Sequence, residues 1–324
     1  MLIDYRIELP IEERKHLDAI KELLCSIESH VKDALDSHRK IRKDWYPHEI
    51  LPWGKGIDFR EVPWSLDQCP LRPEVKLALE TNLLTEDNLP YYHSHIERFV
   101  DNSGAWKEWN RLWTAEEAQH GEAMRDYLYL LRVTDPKQIA DERKAVMEVG
   151  FDRHFRDPLE LFAYTSAQEL ATRISHLRTG QRADEPVVLE LLKRISTDEN
   201  FHYVFYRNII SLCLDRDPDR VLPAIMNQLY SFEMPGAGMS NFEFRQLTIA
   251  NAGIYGVKEH RELVIEPVLS FWKIADRQPT TEAGKKARDR ILKLDKVLRR
   301  MEDKQERAPK KSDLPVISDT PKDN

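Results

Sequence analysis

A glutamate and a histidine three residues apart, Glu199 and His202, interrupt a row that otherwise reads as the apolar face of one helix: Val188, Leu191, Leu192, Ile195, then Tyr206, Ile209 and Cys213. An ionised carboxylate on a buried face is costly unless something pairs with it. At i, i+3 spacing the two side chains meet on adjacent turns, where they can hold one cation between them. The same interruption occurs upstream. Trp106, Trp109 and Trp113 lead into Glu117 and His120, and the row resumes with Met124, Tyr127 and Leu131.

Two further glutamates fall on apolar stripes. Glu86 follows Val75, Leu79 and Leu83, with Leu89, His93 and Ile96 beyond it, and Glu169 lies among Leu161, Phe162, Thr165 and Ile174. Glu86 and Glu117 straddle a turn at Asp101–Gly104, and Glu169 and Glu199 straddle one at Asp184. The separations are nearly equal, so two antiparallel hairpins would each set a lone glutamate opposite a Glu-x-x-His pair at matching depth. A two-metal carboxylate site in a helical bundle has this arrangement. The expected fold is therefore all-α: a ferritin-like di-iron four-helix bundle elaborated with additional helices.

Composition narrows the alternatives. The chain has 324 residues, of which 41% are hydrophobic and only 11 are glycine, which suits a large helical core. A net charge of −7 argues against nucleic acid as the main partner. No run of about 18 apolar residues exists, so no membrane span is expected. The N-terminus lacks a signal-peptide core. Cys25, Cys69 and Cys213 are scattered and form no metal-binding pair, which together point to the cytoplasm.

One helical domain is expected over residues 1–302, followed by a disordered tail over 303–324 rich in Pro, Lys, Asp and Ser. A first helix is predicted over 12–43. An extended, Pro- and Gly-punctuated segment over 45–73 follows, anchored by Trp45, Trp53, Phe59 and Trp64. The core bundle covers 74–214. Pro90 cannot donate to the Glu86 carbonyl, which predicts a kink or widened turn there. Past Leu214, helices are expected over 222–232, 241–253, 267–275 and 281–302.

Four carboxylates and two imidazoles make an oxygen-rich site that suits iron or manganese over zinc or copper. Two divalent cations would be neutralised by the four carboxylates, and O2 activation at two irons is the chemistry most consistent with such a site. Several neighbours are set aside: Glu116 and Asp87 point about 100° away from the ligand face and read as solvated or outer groups. His93, His95 and His176 read as ordinary polar or core residues, and Trp106, Trp109 and Trp113 as core packing.

The stretches Leu84–Tyr92, Trp113–Gly121, Ser166–His176, Asp198–His202 and Phe232–Gly236 together resemble the soluble acyl-carrier-protein desaturases, most closely their mycobacterial and actinobacterial branch. The resemblance covers roughly residues 45–271. It implies a homodimeric enzyme that removes two hydrogens from an acyl chain on acyl carrier protein, using O2, two electrons from a ferredoxin-type donor and two Fe(2+) ions per chain. It also implies that Glu86, Glu117, His120, Glu169, Glu199 and His202 are the metal ligands and that Thr172 lies near the O2 side. Asp198 and Trp45 match positions linked to electron delivery through His120. The first pair reads Glu-Ala-Gln-His where the family usually has Glu-Asn-Arg-His, which leaves the ligands intact but alters their surroundings. A ferroxidase, a ribonucleotide reductase small subunit and a non-catalytic desaturase paralogue are the competing readings. A ferritin would be shorter than this chain, and no radical-tyrosine motif surrounds Tyr127, Tyr203 or Tyr206.

Overall fold

In a computed structural model the chain is described over residues 10–100 and 103–306, and it is helical with no strand among those residues. In order, the first helices are α1 (Ile11–Ser26), α2 (Glu28–Ile41), a single turn α3 (Pro47–Ile50), α4 (Pro73–Glu86), α5 (Leu89–Phe99), α6 (Gly104–Leu130), α7 (Pro136–Val149), α8 (Pro158–Arg182) and α9 (Pro186–Arg216). Proline opens α4, α7, α8 and α9, a position where its fixed φ and missing N–H cost nothing. At α7, α8 and α9 the preceding acidic residue, Asp135, Asp157 or Glu185, also accepts from a first-turn amide.

The bundle is a closed ring of four. α4 packs on α6, α6 on α9, α9 on α8, and α8 back on α4. The tightest edge is the α8–α9 hairpin, where Gly180 lets the helices come close: a Cβ there would already sit 3.3 Å from the Leu189 Cα. α2 lies across the α6 and α9 edge, with Val31, Leu35 and His38 as its buried face. The later helices α10 (Pro218–Tyr230), α11 (Phe242–Asn251), α12 (Val257–Glu259), α13 (Glu266–Phe271), α14 (Glu282–Ile291) and α15 (Leu294–Glu306) cover the outside. α10 packs on α8 and α9, and α11 on α4.

Several boundaries differ from expectation. The first helix is two, broken at Ile27, where φ −107° and ψ 3° end α1 and the Ile27 amide turns to Leu24 O; no Gly or Pro marks the spot. The break beside Glu86 is real: α4 ends there, Asp87 and Asn88 leave the helix, and Pro90 enters the first turn of α5. At the break the Thr85 carbonyl accepts from the Asn88 amide at 3.2 Å and from the Tyr92 hydroxyl at 3.0 Å. α4 is buried on every side from Ala78 to Glu86, not along one stripe, because α6, α7, α8 and α11 all pack on it.

Trp53 is no anchor, being 49% exposed; Trp45 is buried, Trp64 donates to Arg132 O, and Phe59 lies under the Arg132 guanidinium. The segment expected over 267–275 begins earlier, as α12 continues through a π-helical stretch, His260–Ile265, into α13. The last expected helix is two, parted at Leu292. Residues 303–306 are helical and not tail, and the rest of the expected tail lies outside the described residues, as do Asp101 and Asn102 of the expected turn. Among the described residues no helix is long and apolar enough to cross a membrane.

Candidate metal centre

The four bundle helices bring all six expected residues to one place. Glu86, Glu117, His120 and Glu199 each offer a ligand atom within 4.8 Å of the others, and so do Glu117, Glu169, Glu199 and His202. Glu117 and Glu199 belong to both groups. The centre thus has two halves that share two carboxylates, each half completed by one histidine and one lone glutamate. Every one of the six is buried.

Both imidazoles turn Nδ1 inward. His120 Nδ1 lies 3.4 Å from Glu117 Oε2 and 3.5 Å from Glu199 Oε1. His202 Nδ1 lies 2.7 Å from Glu117 Oε1 and 3.6 Å from Glu169 Oε2. Their Nε2 atoms face outward onto acids: His120 onto Asp198 Oδ2 at 3.3 Å, and His202 onto Glu116 Oε2 at 2.8 Å. An ionised carboxylate only accepts, so each Nε2 carries a proton, and each Nδ1, facing the inner carboxylates, becomes a free lone pair once a metal ion displaces its own proton.

The supporting acids are exchanged between helices. Glu116 on α6 holds the histidine of α9, and Asp198 on α9 holds the histidine of α6. Glu116-Glu117-x-x-His120 and Asp198-Glu199-x-x-His202 are two copies of one pattern, in which each copy's first acid serves the other copy's histidine. Asp198 also accepts from the Trp45 indole at 2.9 Å, and Glu116 from His38 at 3.0 Å. Although burial opposes it, Asp198 is held well below the ordinary carboxylate range by His120, Arg42 and Trp45. Glu116 is likewise lowered to about 2 by His202 and His38 against its own burial.

Five of the eleven buried side-chain nitrogen and oxygen atoms without a hydrogen-bond partner among the described residues are Glu117 Oε1, His120 Nδ1, Glu169 Oε2, Glu199 Oε1 and His202 Nδ1. Folded interiors leave few polar atoms unpaired. Five clustered at one point, each an atom that can hold a cation once deprotonated, fit metal ions as the common partner. Four carboxylates with two neutral imidazoles also match the charge of two divalent cations.

The remaining contacts orient these six side chains. Thr172 donates to Glu199 Oε2 at 2.7 Å, and the Trp113 indole donates to Glu169 Oε1 at 3.1 Å. His176, read from the sequence as an ordinary core residue, stands instead beside the cluster, its Nε2 3.6 Å from Glu86 Oε1 and 3.7 Å from Glu199 Oε1. Asn82 Nδ2 faces His176 Nδ1 at 3.2 Å while Ser175 donates to Asn82 Oδ1 at 3.0 Å, which leaves the His176 proton on Nε2, pointing at the acids. Burial lowers His176 to about 4, so it is neutral at pH 7. Asp87 is an outer group as expected, paired with Arg143 at 2.7 Å. Glu116 is not solvated: it is buried at 4% exposure. His93 bonds Thr114 and His95 faces Phe151 O, away from the centre.

Crowding sets the protonation of the metal-free centre. Burial and the charge on Glu117 push Glu86 and Glu169 well above the usual carboxylate range. His120 and His202, despite burial, are pushed well up by Glu117. These raised groups hold protons at a pH where free ligands would have released some of them, and a metal ion must displace those protons. Binding should therefore release about one proton or more per pair of ions near pH 6.5, and affinity should climb with pH. Calorimetric titrations in two buffers of different ionisation heat will show it; identical heats would contradict this picture.

The fold and site together define a helical carboxylate protein with two buried Glu/His groups able to hold a metal ion. The chain matches the fatty acid desaturase family over residues 19–317, and it belongs to that family. It is 37% identical over 281 residues to DesA1 of Mycobacterium tuberculosis, provisionally named an acyl-[acyl-carrier-protein] desaturase, covering 83% of each chain. It is 30% identical to the chloroplastic stearoyl-[acyl-carrier-protein] 9-desaturase 2 of Oryza sativa subsp. japonica, covering 91% of this chain and 80% of the rice protein. The solved structure of DesA2 from Mycobacterium tuberculosis H37Rv superposes with a TM-score of 0.67 at 24% identity, over 82% of this chain and 99% of that one, and so shares the fold.

Proposed function

We propose that this protein is an acyl-[acyl-carrier-protein] desaturase, which places a cis double bond in a fatty acyl chain carried on acyl carrier protein, and that Glu86, Glu117, His120, Glu169, Glu199 and His202 hold two Fe(2+) ions. The observation that carries the reading is the pair of buried half-sites sharing Glu117 and Glu199, with Nδ1 of both histidines turned inward, in a chain of this family. The irons, when bound, supply O2 activation.

The chain's own residues position and shield that chemistry. Glu116 and Asp198 fix which nitrogen of each histidine is free. Thr172 keeps a hydroxyl proton at Glu199 Oε2, on the inside of the bundle. Trp45 and Asp198 form a hydrogen-bonded chain from the outer segment to His120, which gives the incoming electrons a short path. Beside the Glu169 half lies an apolar cavity of about 20 Å³ lined by Tyr92, Ile96, Trp113, Phe151 and Tyr164, room for about one water. The same reading assigns a ferredoxin-type donor and a homodimer, supported by the family resemblance, and a cytoplasmic place, supported by the three free cysteines.

The test is to load the protein with ferrous iron, supply O2 and a reducing ferredoxin system, and present acyl carrier proteins bearing chains of graded length. One length class should return an acyl group lighter by two hydrogens. Iron-loaded protein that alters none of them would leave a non-catalytic paralogue.

A further inference from the structure

The two copies of the acid-Glu-x-x-His pattern are related by pseudo-symmetry, but one residue outside both copies spans them. Arg42 caps the C-terminal end of α2, and its side chain is only 9% exposed. Its Nε and Nη2 donate to Asp198 Oδ1 and Oδ2 at 3.2 and 2.9 Å, and the same Nε lies 3.2 Å from Glu116 Oε1. The other two groups on these acids divide between them: Trp45 reaches Asp198, and His38 reaches Glu116.

A guanidinium is a rigid plane whose nitrogens keep fixed separations. Set against both acids, it fixes the gap between Glu116 and Asp198, and through them the ring directions of His202 and His120. Resting on the reading of the centre given above, we propose that Arg42 is a positioning residue that ties the outer acids of both halves together, so that the two histidine ligands are set jointly and not one by one. The end of α2 thereby becomes part of the centre, although it contributes no ligand. A lysine here would keep a positive charge but, as a single point donor, could not span both acids.

The test uses Co(2+) as the probe, with ion count, affinity and visible spectrum as readouts. Wild type should bind two ions. Arg42→Met should weaken both by about tenfold or more and shift the spectrum of both, with a lower metal-free melting temperature because Asp198 and Glu116 lose their buried counter-charge. His38→Phe and Trp45→Phe should each disturb one ion only. Arg42→Lys, which keeps the charge, should show the same loss at both ions in milder form, and it decides the matter if the methionine variant fails to fold. Wild-type affinity and spectrum in the arginine variants, or a change at one ion alone, would overturn the role of Arg42. A wild type that binds no cobalt would overturn the reading of the centre itself.

Discussion

Glu199→Ala should bind well under one ion per chain where the wild type binds about two, with loss of all desaturation. Glu199 is shared by both halves, so its removal strips a carboxylate from each ion at once. Loss of a lone glutamate such as Glu86 should spare the other half in part. The isosteric Glu199→Gln separates binding from folding. It keeps the shape and an acceptor for Thr172, but removes the charge and one coordinating oxygen. The metal-free glutamine variant should stay within about 1 kcal/mol of metal-free wild type, while its gain on adding metal disappears. A glutamine variant that still holds two ions tightly would show that Glu199 is not a shared ligand.

Metal loading should stabilise the wild-type fold by about 5 kcal/mol, taking two sites each at about a hundred times its dissociation constant. The linkage has this sign because the cluster assembles six residues from four helices, and the unfolded chain offers no equivalent. For a chain of this size that corresponds to a rise of about 8 °C in melting temperature, reversed by a chelator. Part of the gain comes from giving five buried lone-pair atoms their partner. A scan in which ferrous ion and chelator leave the transition unmoved would contradict it.

That these six residues would converge was legible in the sequence because helical period is a short-range signal. A glutamate on an apolar stripe conflicts with its neighbours, and two Glu-x-x-His pairs with symmetric partners resolve the conflict in one way. The residues that support the ligands were not legible for the opposite reason. His38 and Glu116 meet across 78 residues, and Arg42 and Asp198 across 156, so their contacts depend on where α2 docks. Two signals were present all the same. His38 continues the Val31, Leu35 spacing on the buried face of α2, and an acid precedes the ligand glutamate in both copies of the pattern. His176 could not be told from a core histidine, because its role depends on Asn82 and Glu86 on α4. Helix boundaries failed where no Gly or Pro marks them, as at Ile27, whereas the break before Pro90 was readable from the missing donor alone.

Crystals grown with ferrous iron, measured for anomalous scattering at the iron edge, test the central claim most directly. Two peaks should appear inside the α4, α6, α8 and α9 ring, one beside Glu86 and His120 and the other beside Glu169 and His202, with Glu117 and Glu199 touching both. A single peak, or iron found only on the surface, would contradict the account.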